Sequence, residues 1–171
     1  DFQTVGPMKG RLVRGRIVDD RGNLVASFSR PAAPTGLNEL TVMVKKPHCW
    51  SPETPRLYTL ALTICRERGS KGPTFVDDRQ QQRFGIRTVS VSKAGFQLNG
   101  VARKIKGVCL HHDLGPLGAA VNKAALIRQI RLLKDMGSDA IRTSHNIPST
   151  LQMEVCDSMG MMVMAESFDM W

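Results

Sequence analysis

The spacing of apolar positions changes halfway along this chain, and the change divides it. In the first half, apolar and polar residues alternate in short runs bounded by turn residues. Leu12–Val18 reads as a strand, Asp19-Asp20-Arg21-Gly22-Asn23 as a turn, and Leu24–Phe28 as the returning strand. Pro31–Gly36 reads as loop. Leu40–Val44 alternates as a further strand until Lys45-Lys46-Pro47 ends it, and Ser51-Pro52-Glu53-Thr54-Pro55 is a second rigid loop. Leu57–Arg66 is the longest strand, with Leu60, Leu62 and Ile64 on one face and Thr59, Thr63 and Cys65 on the other. Gly69–Pro73 closes a hairpin into Phe75–Val76, and Gln80–Val91 continues as strand. Short strands with turn signals at this spacing predict a β-sandwich over residues 1–85, with room for a first strand or two before residue 1.

Beyond residue 85 the pattern becomes mixed. Asn99-Gly100 is a strong two-residue hairpin signal between Ser90–Phe96 and Val101–Lys106. Three short apolar runs then follow, Val108–Leu110, Ala140–Ile141 and Met161–Ala165, which read as buried strands. Helical spacing separates them. Asn122 is placed to cap a helix over Lys123–Met136 that presents Leu126, Ile130 and Leu133 on one face, with Gly137 just past its end. Ser149 and Gln152 form a capping box for a second helix, which buries Leu151, Val155 and Met159 and stops at Gly160. Strands alternating with helices predict a parallel sheet over residues 86–171.

Each apolar run ends in a polar cluster: His111-His112-Asp113, Ser144-His145-Asn146 and Glu166-Ser167-Phe168-Asp169. A (β/α) barrel places its chemistry at the carboxyl ends of its strands in this way. Adjacent histidines point to opposite sides of a strand, so one of His111 and His112 faces a site while the other faces solvent or caps. A metal pair would favour His-x-His spacing. Arg142 can hold a carboxylate ionised or serve a structural salt bridge. His145 precedes the turn Asn146-Ile147-Pro148. Glu166 at a strand tip can be acid, base, sugar ligand or ion pair, and spacing alone leaves these open. Ser144 and Ser149 lack a nucleophile elbow, and Gly115-Pro116-Leu117-Gly118 does not have phosphate-loop spacing.

Composition narrows the classes. The 171 residues carry a formal charge of +9 and 5% aromatic residues. The basic excess is spread over both halves and stacking residues are few, which argues against nucleic acid as partner. No apolar stretch approaches the ~20 residues that span a bilayer, so no membrane partner is expected. Phe2 and Gln3 do not begin a signal peptide, and localisation stays open. The four cysteines, Cys49, Cys65, Cys109 and Cys156, have no metal-binding spacing. Cys109 and Cys156 read as small core residues, and a Cys49–Cys65 disulfide is an open option.

An ordered set of motifs resembles a known family. Phe84-Gly85-Ile86-Arg87, Phe96-Gln97-Leu98-Asn99-Gly100, Gly107-Val108-Cys109-Leu110-His111-His112-Asp113, Leu133-Lys134-Asp135-Met136-Gly137, Ile141-Arg142-Thr143-Ser144-His145-Asn146 and Cys156-Asp157-Ser158-Met159-Gly160 follow one another as in glycoside hydrolase family 2, the β-galactosidase and β-glucuronidase group. Trp50–Tyr58 resembles that family's W-P-x-x-P-x-L-Y segment. The resemblance implies an immunoglobulin-like sandwich followed by the first three βα units of an incomplete (β/α)8 TIM barrel. It implies retaining hydrolysis of β-glycosides, most like a β-galactosidase, with carbohydrate as substrate; no cofactor is expected, no metal ligand is singled out, and the metal requirement stays open. A homo-oligomer is open for a full-length protein.

The acid/base and nucleophile glutamates of the family lie on later strands, beyond Trp171, so no catalytic residue is expected here and the chain alone is expected to be inactive. The resemblance gives His111, Asp113 and His145 to sugar binding, Arg142 to steadying the nucleophile, and Glu166 to the family's Asp-Glu pair. Ala165 replaces the Asp of that pair, and Ile147 displaces the usual Pro. A non-catalytic carbohydrate-binding or structural module with a degraded barrel is the competing expectation.

Overall fold

The computed structural model describes residues 2–33, 36–67 and 74–168, which form two compact units. The Gly69–Pro73 turn, part of the Pro31–Gly36 loop, and Asp169 lie outside the described residues. The first unit comprises Asp1–Pro47 and Tyr58–Phe84; the second comprises His48–Leu57 and Gly85–Trp171. The His48–Leu57 loop thus belongs with the second unit, although it lies within residues 1–85.

The first unit is built from β1 (Phe2–Thr4), β2 (Leu12–Val18), β3 (Leu24–Pro31), β4 (Gly36–Asn38), β5 (Tyr58–Glu67) and β6 (Thr74–Phe84). Its antiparallel sheet runs β3-β2-β5-β6, and β1 pairs separately with β4. The β2–β3 turn is tied by Asp19, whose carboxylate accepts from the backbone N–H of Arg21 and Asn23. On one face, Val13, Gly15 and Ile17 oppose Ile64, Leu62 and Leu60 of β5. Gly15 leaves space that the Phe28 ring fills, since a Cβ there would come within 2.1 Å of it.

Leu40–Val44 forms no strand. Its alternation survives as half-buried Leu40, Val42 and Val44 beside exposed Thr41 and Met43, because the pattern reports faces rather than backbone pairing. Gln80–Val91 is also not continuous. Pairing with β5 ends at Tyr58 and Phe84, and the next carbonyl but one, that of Ile86, accepts from the N–H of Trp50 at 2.8 Å. Gly85 passes so close to Trp50 that a Cβ would meet the indole side chain at 3.0 Å.

The second unit opens with a three-stranded meander: β7 (Val89–Ser92), β8 (Gly95–Leu98) and β9 (Val101–Ala102). Ser90–Phe96 is two strands rather than one. The Ser92 hydroxyl accepts from the Ala94 N–H, and Gly95 takes φ +97°, which turns the chain. Asn99 and Gly100 both take positive φ, as the hairpin signal requires. Val101–Lys106 stops as strand at Ala102, where Arg103 and Lys106 turn to Asp139. The Arg103 guanidinium bonds the Asp139 carboxylate at 3.0 Å, and the Lys106 N–H donates to its other oxygen at 2.9 Å.

The parallel sheet then follows in the order β10 (Gly107–Leu110), β11 (Ala140–Thr143), β12 (Met162–Ala165). Helices α1 (Lys123–Asp135) and α2 (Thr150–Met159) connect them. The Asn122 cap forms as the sequence predicts, and so does the Ser149 half of the capping box: Asn122 accepts from the Ala125 N–H and Ser149 from the Gln152 N–H, each at 3.1 Å. Leu126, Ile130, Ile141, Val155, Cys156 and Met161 make the core between helices and sheet. A second cluster, Trp50, Leu57 and Leu98 with Phe96 and Met162, joins the meander to the His48–Leu57 loop. Gly160 is required at the end of α2, because it takes φ +74° and a Cβ would lie 2.4 Å from the Pro52 carbonyl oxygen.

Of the three strands expected to be buried, only β11 is enclosed. Its helix-facing neighbours Val108 and Val163 pack on the core, while Cys109 and Met164 are exposed on the opposite face. Cys109 lies on the face that no helix covers and is exposed among the described residues. Cys156 is fully buried, as expected, and all four cysteines are free thiols. Among the described residues, no helix is long and apolar enough to cross a membrane.

Candidate active site

The parallel register decides which side chains share a face. Cys109 of β10, Arg142 of β11 and Met164 of β12 are aligned neighbours, on the face away from the helices. The residues just past these strands carry the polar groups. The Glu166 carboxylate is gripped from two sides: one oxygen pairs with the Arg142 guanidinium, and the other lies 3.0 Å from His145 Nδ1. The Glu166 backbone N–H donates to Thr143 Oγ1 at 3.1 Å, which fixes where the chain leaves β12. The His111 and His145 rings meet edge to face, 5.7 Å between centroids.

Four sequence-predicted residues are thus brought together: His111, Arg142, His145 and Glu166. Asp113 is placed differently. Its carboxylate accepts from the Gly115 N–H at 2.8 Å and shapes the loop after β10. His112, with φ +54°, turns away from His111 and lines a small recess with Asp113, Gln129 and Gln152. Both histidines lie just past the end of β10, and the positive φ of His112 places it outside strand alternation.

Arg142 is raised above its ordinary value by the Cys109 sulfur beside it and by Glu166. The Cys109 thiol is lowered, first by the Ser144 hydroxyl and then by the Arg142 guanidinium 3.6 Å away. The Ser144 hydroxyl is buried and, among the described residues, has no hydrogen-bond partner of ordinary geometry. Thr143 and Cys109 escaped sequence reading. Cys109 was within reach of it, because residues two apart on a strand share a face and His111 had been assigned to the site.

This arrangement can fix a carboxylate at a strand end between a permanent cation and an imidazole, with polar groups open to a ligand with hydroxyls. It belongs to a known architecture. Residues 10–87 match glycosyl hydrolases family 2, and residues 89–169 match the TIM barrel domain of the same family. The chain is 48% identical over 129 residues to the β-galactosidase BoGH2A of Bacteroides ovatus, covering 75% of this chain and 14% of that protein. It is 38% identical over 172 residues to a putative β-glucuronidase of Formosa agariphila, covering 100% of this chain and 16% of that protein. A family 2 glycosyl hydrolase structure from Bacteroides cellulosilyticus superposes with a TM-score of 0.81 at 37% identity, covering 94% of this chain and 21% of that one.

The fold is therefore a β-sheet sandwich domain followed by the start of a TIM barrel, and the chain belongs to glycosyl hydrolase family 2. It spans about a sixth of the length of the curated relatives it matches.

Proposed function

We propose that these residues are part of a retaining β-glycosidase that hydrolyses terminal β-glycosidic bonds, most like a β-galactosidase. The observation that carries the reading is the Glu166 carboxylate held by both Arg142 and His145 at neighbouring strand ends, within a chain of this family. His111 and His145 contact the sugar, Arg142 steadies the nucleophile, Glu166 holds both Arg142 and His145, and Asp113 shapes the rim. The acid/base and nucleophile glutamates, ~5 Å apart in a retaining enzyme, lie on further barrel strands outside these residues. The first three βα units of the barrel are the part present here.

Two points favour a galactoside over a glucuronide. Identity is higher to the β-galactosidase than to the putative β-glucuronidase. Arg142 is also engaged by Glu166, which leaves it less able to meet a sugar carboxylate. The test is a panel of aryl β-galactosides, β-glucuronides and β-mannosides offered to the full-length protein. Preferential galactoside hydrolysis is expected, and glucuronide preference overturns the substrate reading. Glu166→Gln in the full-length protein is expected to lower kcat/KM by ~100-fold through misplacement of Arg142 and His145. The 171-residue chain alone is expected to hydrolyse none of them, and measurable turnover by it overturns the placement of the acting carboxylates elsewhere.

A further inference from the structure

Lys134 stands in the last turn of α1, where a cation ordinarily serves the carbonyls of its own helix. Here its ammonium reaches away from α1. It donates to the Pro52 carbonyl at 2.9 Å and to the Gly160 carbonyl at 3.1 Å, 82 and 26 residues away along the chain. Gly160 ends α2, and Pro52 is a buried residue of the His48–Leu57 loop, which belongs to the same unit. An ammonium with three donors suits two carbonyl oxygens brought together. Trp50 fastens the same loop further along α2, donating from its indole N–H to the Asp157 carbonyl at 2.8 Å. Glu53 ties it to the start of β11, because Arg103 bonds Glu53 at 3.1 Å and Asp139 at 3.0 Å. The Asp139 carbonyl in turn accepts from the Met162 N–H at 2.9 Å, at the base of the β11–β12 pairing.

We propose that Lys134 is a positioning residue for the candidate site: by bridging the Pro52 and Gly160 carbonyls it fixes where β12 begins, and so where Glu166 meets Arg142 and His145. Its effect on catalysis rests on the glycosidase reading given above. Between Gly160 and Glu166 stand only Met161 and the four residues of β12. Met161 is 1% exposed, and β12 pairs residue by residue with β11 from Ala140–Met162 to Thr143–Ala165. That segment has little slack to absorb a shift at Gly160. A slip of one residue turns every side chain of a strand to its other face. A smaller shift separates the Glu166 carboxylate from one of the two groups that grip it. Lys134 bonds none of these groups and acts through the strand.

The test uses the full-length protein. Lys134→Met keeps the aliphatic stem and removes the donors, and is expected to lower kcat/KM for an aryl β-galactoside ~10-fold. Lys134→Arg keeps a cation with donors and is expected to recover most of that loss. In a Glu166→Gln background, Lys134→Met is expected to cost less than about twofold, because the group it positions is already gone. An equal factor in both backgrounds overturns the proposal, since a general loss of structure is additive, and so does a Lys134→Met variant with unchanged turnover. Amide hydrogen exchange tests the placement without turnover. Lys134→Met is expected to speed exchange several-fold at Met162 and Glu166, whose N–H groups donate to Asp139 and Thr143, and to leave β5 alone. Exchange unchanged at those amides, or faster throughout the chain, overturns the proposal. If the full-length protein hydrolyses no glycoside, the proposed function falls and the exchange result alone decides the role of Lys134.

Discussion

β6 and β11 are both strands, yet different forces hold them. β6 runs from Thr74 to Phe84 at the edge of its sheet, and every residue of it but Phe84 is exposed, although the Asp77 side chain is partly covered by Arg11 and Arg66. β11 has four residues between two neighbours, and Ala140, Ile141 and Thr143 are buried. In β6, the backbone ladder with β5 does the holding, and Gln80-Gln81-Gln82 contribute little by burial. In β11, apolar packing under two helices does it. A strand's length is thus a poor guide to how much its side chains matter, and burial is a good one.

The largest test of this contrast is core truncation. Ile130→Ala or Ile141→Ala is expected to destabilise the second unit by ~3–4 kcal/mol, whereas Gln81→Ala in β6 should cost ~0.5 kcal/mol or less. Urea unfolding midpoints measure both, and similar costs at the two places would break the comparison.

Backbone positions sharpen it next. Gly160 and Gly22 both take positive φ, but a Cβ at Gly160 meets the Pro52 carbonyl while one at Gly22 meets open space. Gly160→Ala should cost more than ~2 kcal/mol and Gly22→Ala ~1 kcal/mol, since only the first adds a clash to the conformational strain. Loss of the α1 cap in Asn122→Ala should cost ~1 kcal/mol and be visible as reduced helical signal on heating.

The smallest effect is acid dependence. In the second unit, hydrogen bonding to Arg103 holds Glu53 at about 2, below its ordinary 4.5. A carboxyl lowered in this way adds stability above its unfolded value, and that stability is lost as pH falls from about 4.5 toward 2. The Glu53 side chain is 61% exposed, so solvent screening limits the contribution to ~1 kcal/mol or less. In the first unit, Asp77 is lowered in the same direction, by Arg11 and then Arg66. Glu53→Gln and Asp77→Asn should each flatten the stability–pH curve on the acid side in its own unit. A curve unchanged by Glu53→Gln would show that Arg103 is satisfied by Asp139 alone.

Much of the second unit is legible from local signals. The caps at Asn122 and Ser149, the stop at Gly160, the Asn99-Gly100 turn and the buried stripe through Leu126 and Ile130 depend on near neighbours in sequence, and all form as read. The errors fall where distant residues decide. Leu40–Val44 keeps its alternation but no strand forms, and Gln80–Val91 breaks because Trp50 claims the Ile86 carbonyl. Cys109 sits in an apolar run that reads as core on both faces, but helices cover only one face of the sheet.

The candidate site divides in the same way. Strand-end position marked the polar clusters that hold His111, Asp113, Arg142, His145 and Glu166, and it took the family resemblance to select these residues within the clusters, since spacing left structural roles open for each. Asp113 turning to the Gly115 N–H is local turn chemistry, but tertiary structure alone decided the rest: that Glu166 takes both Arg142 and His145, and that Cys109 stands beside Arg142. Those relations depend on the register of three parallel strands, in which Gly107 pairs with Ala140 and Ala140 with Met162, and no local pattern encodes such a register.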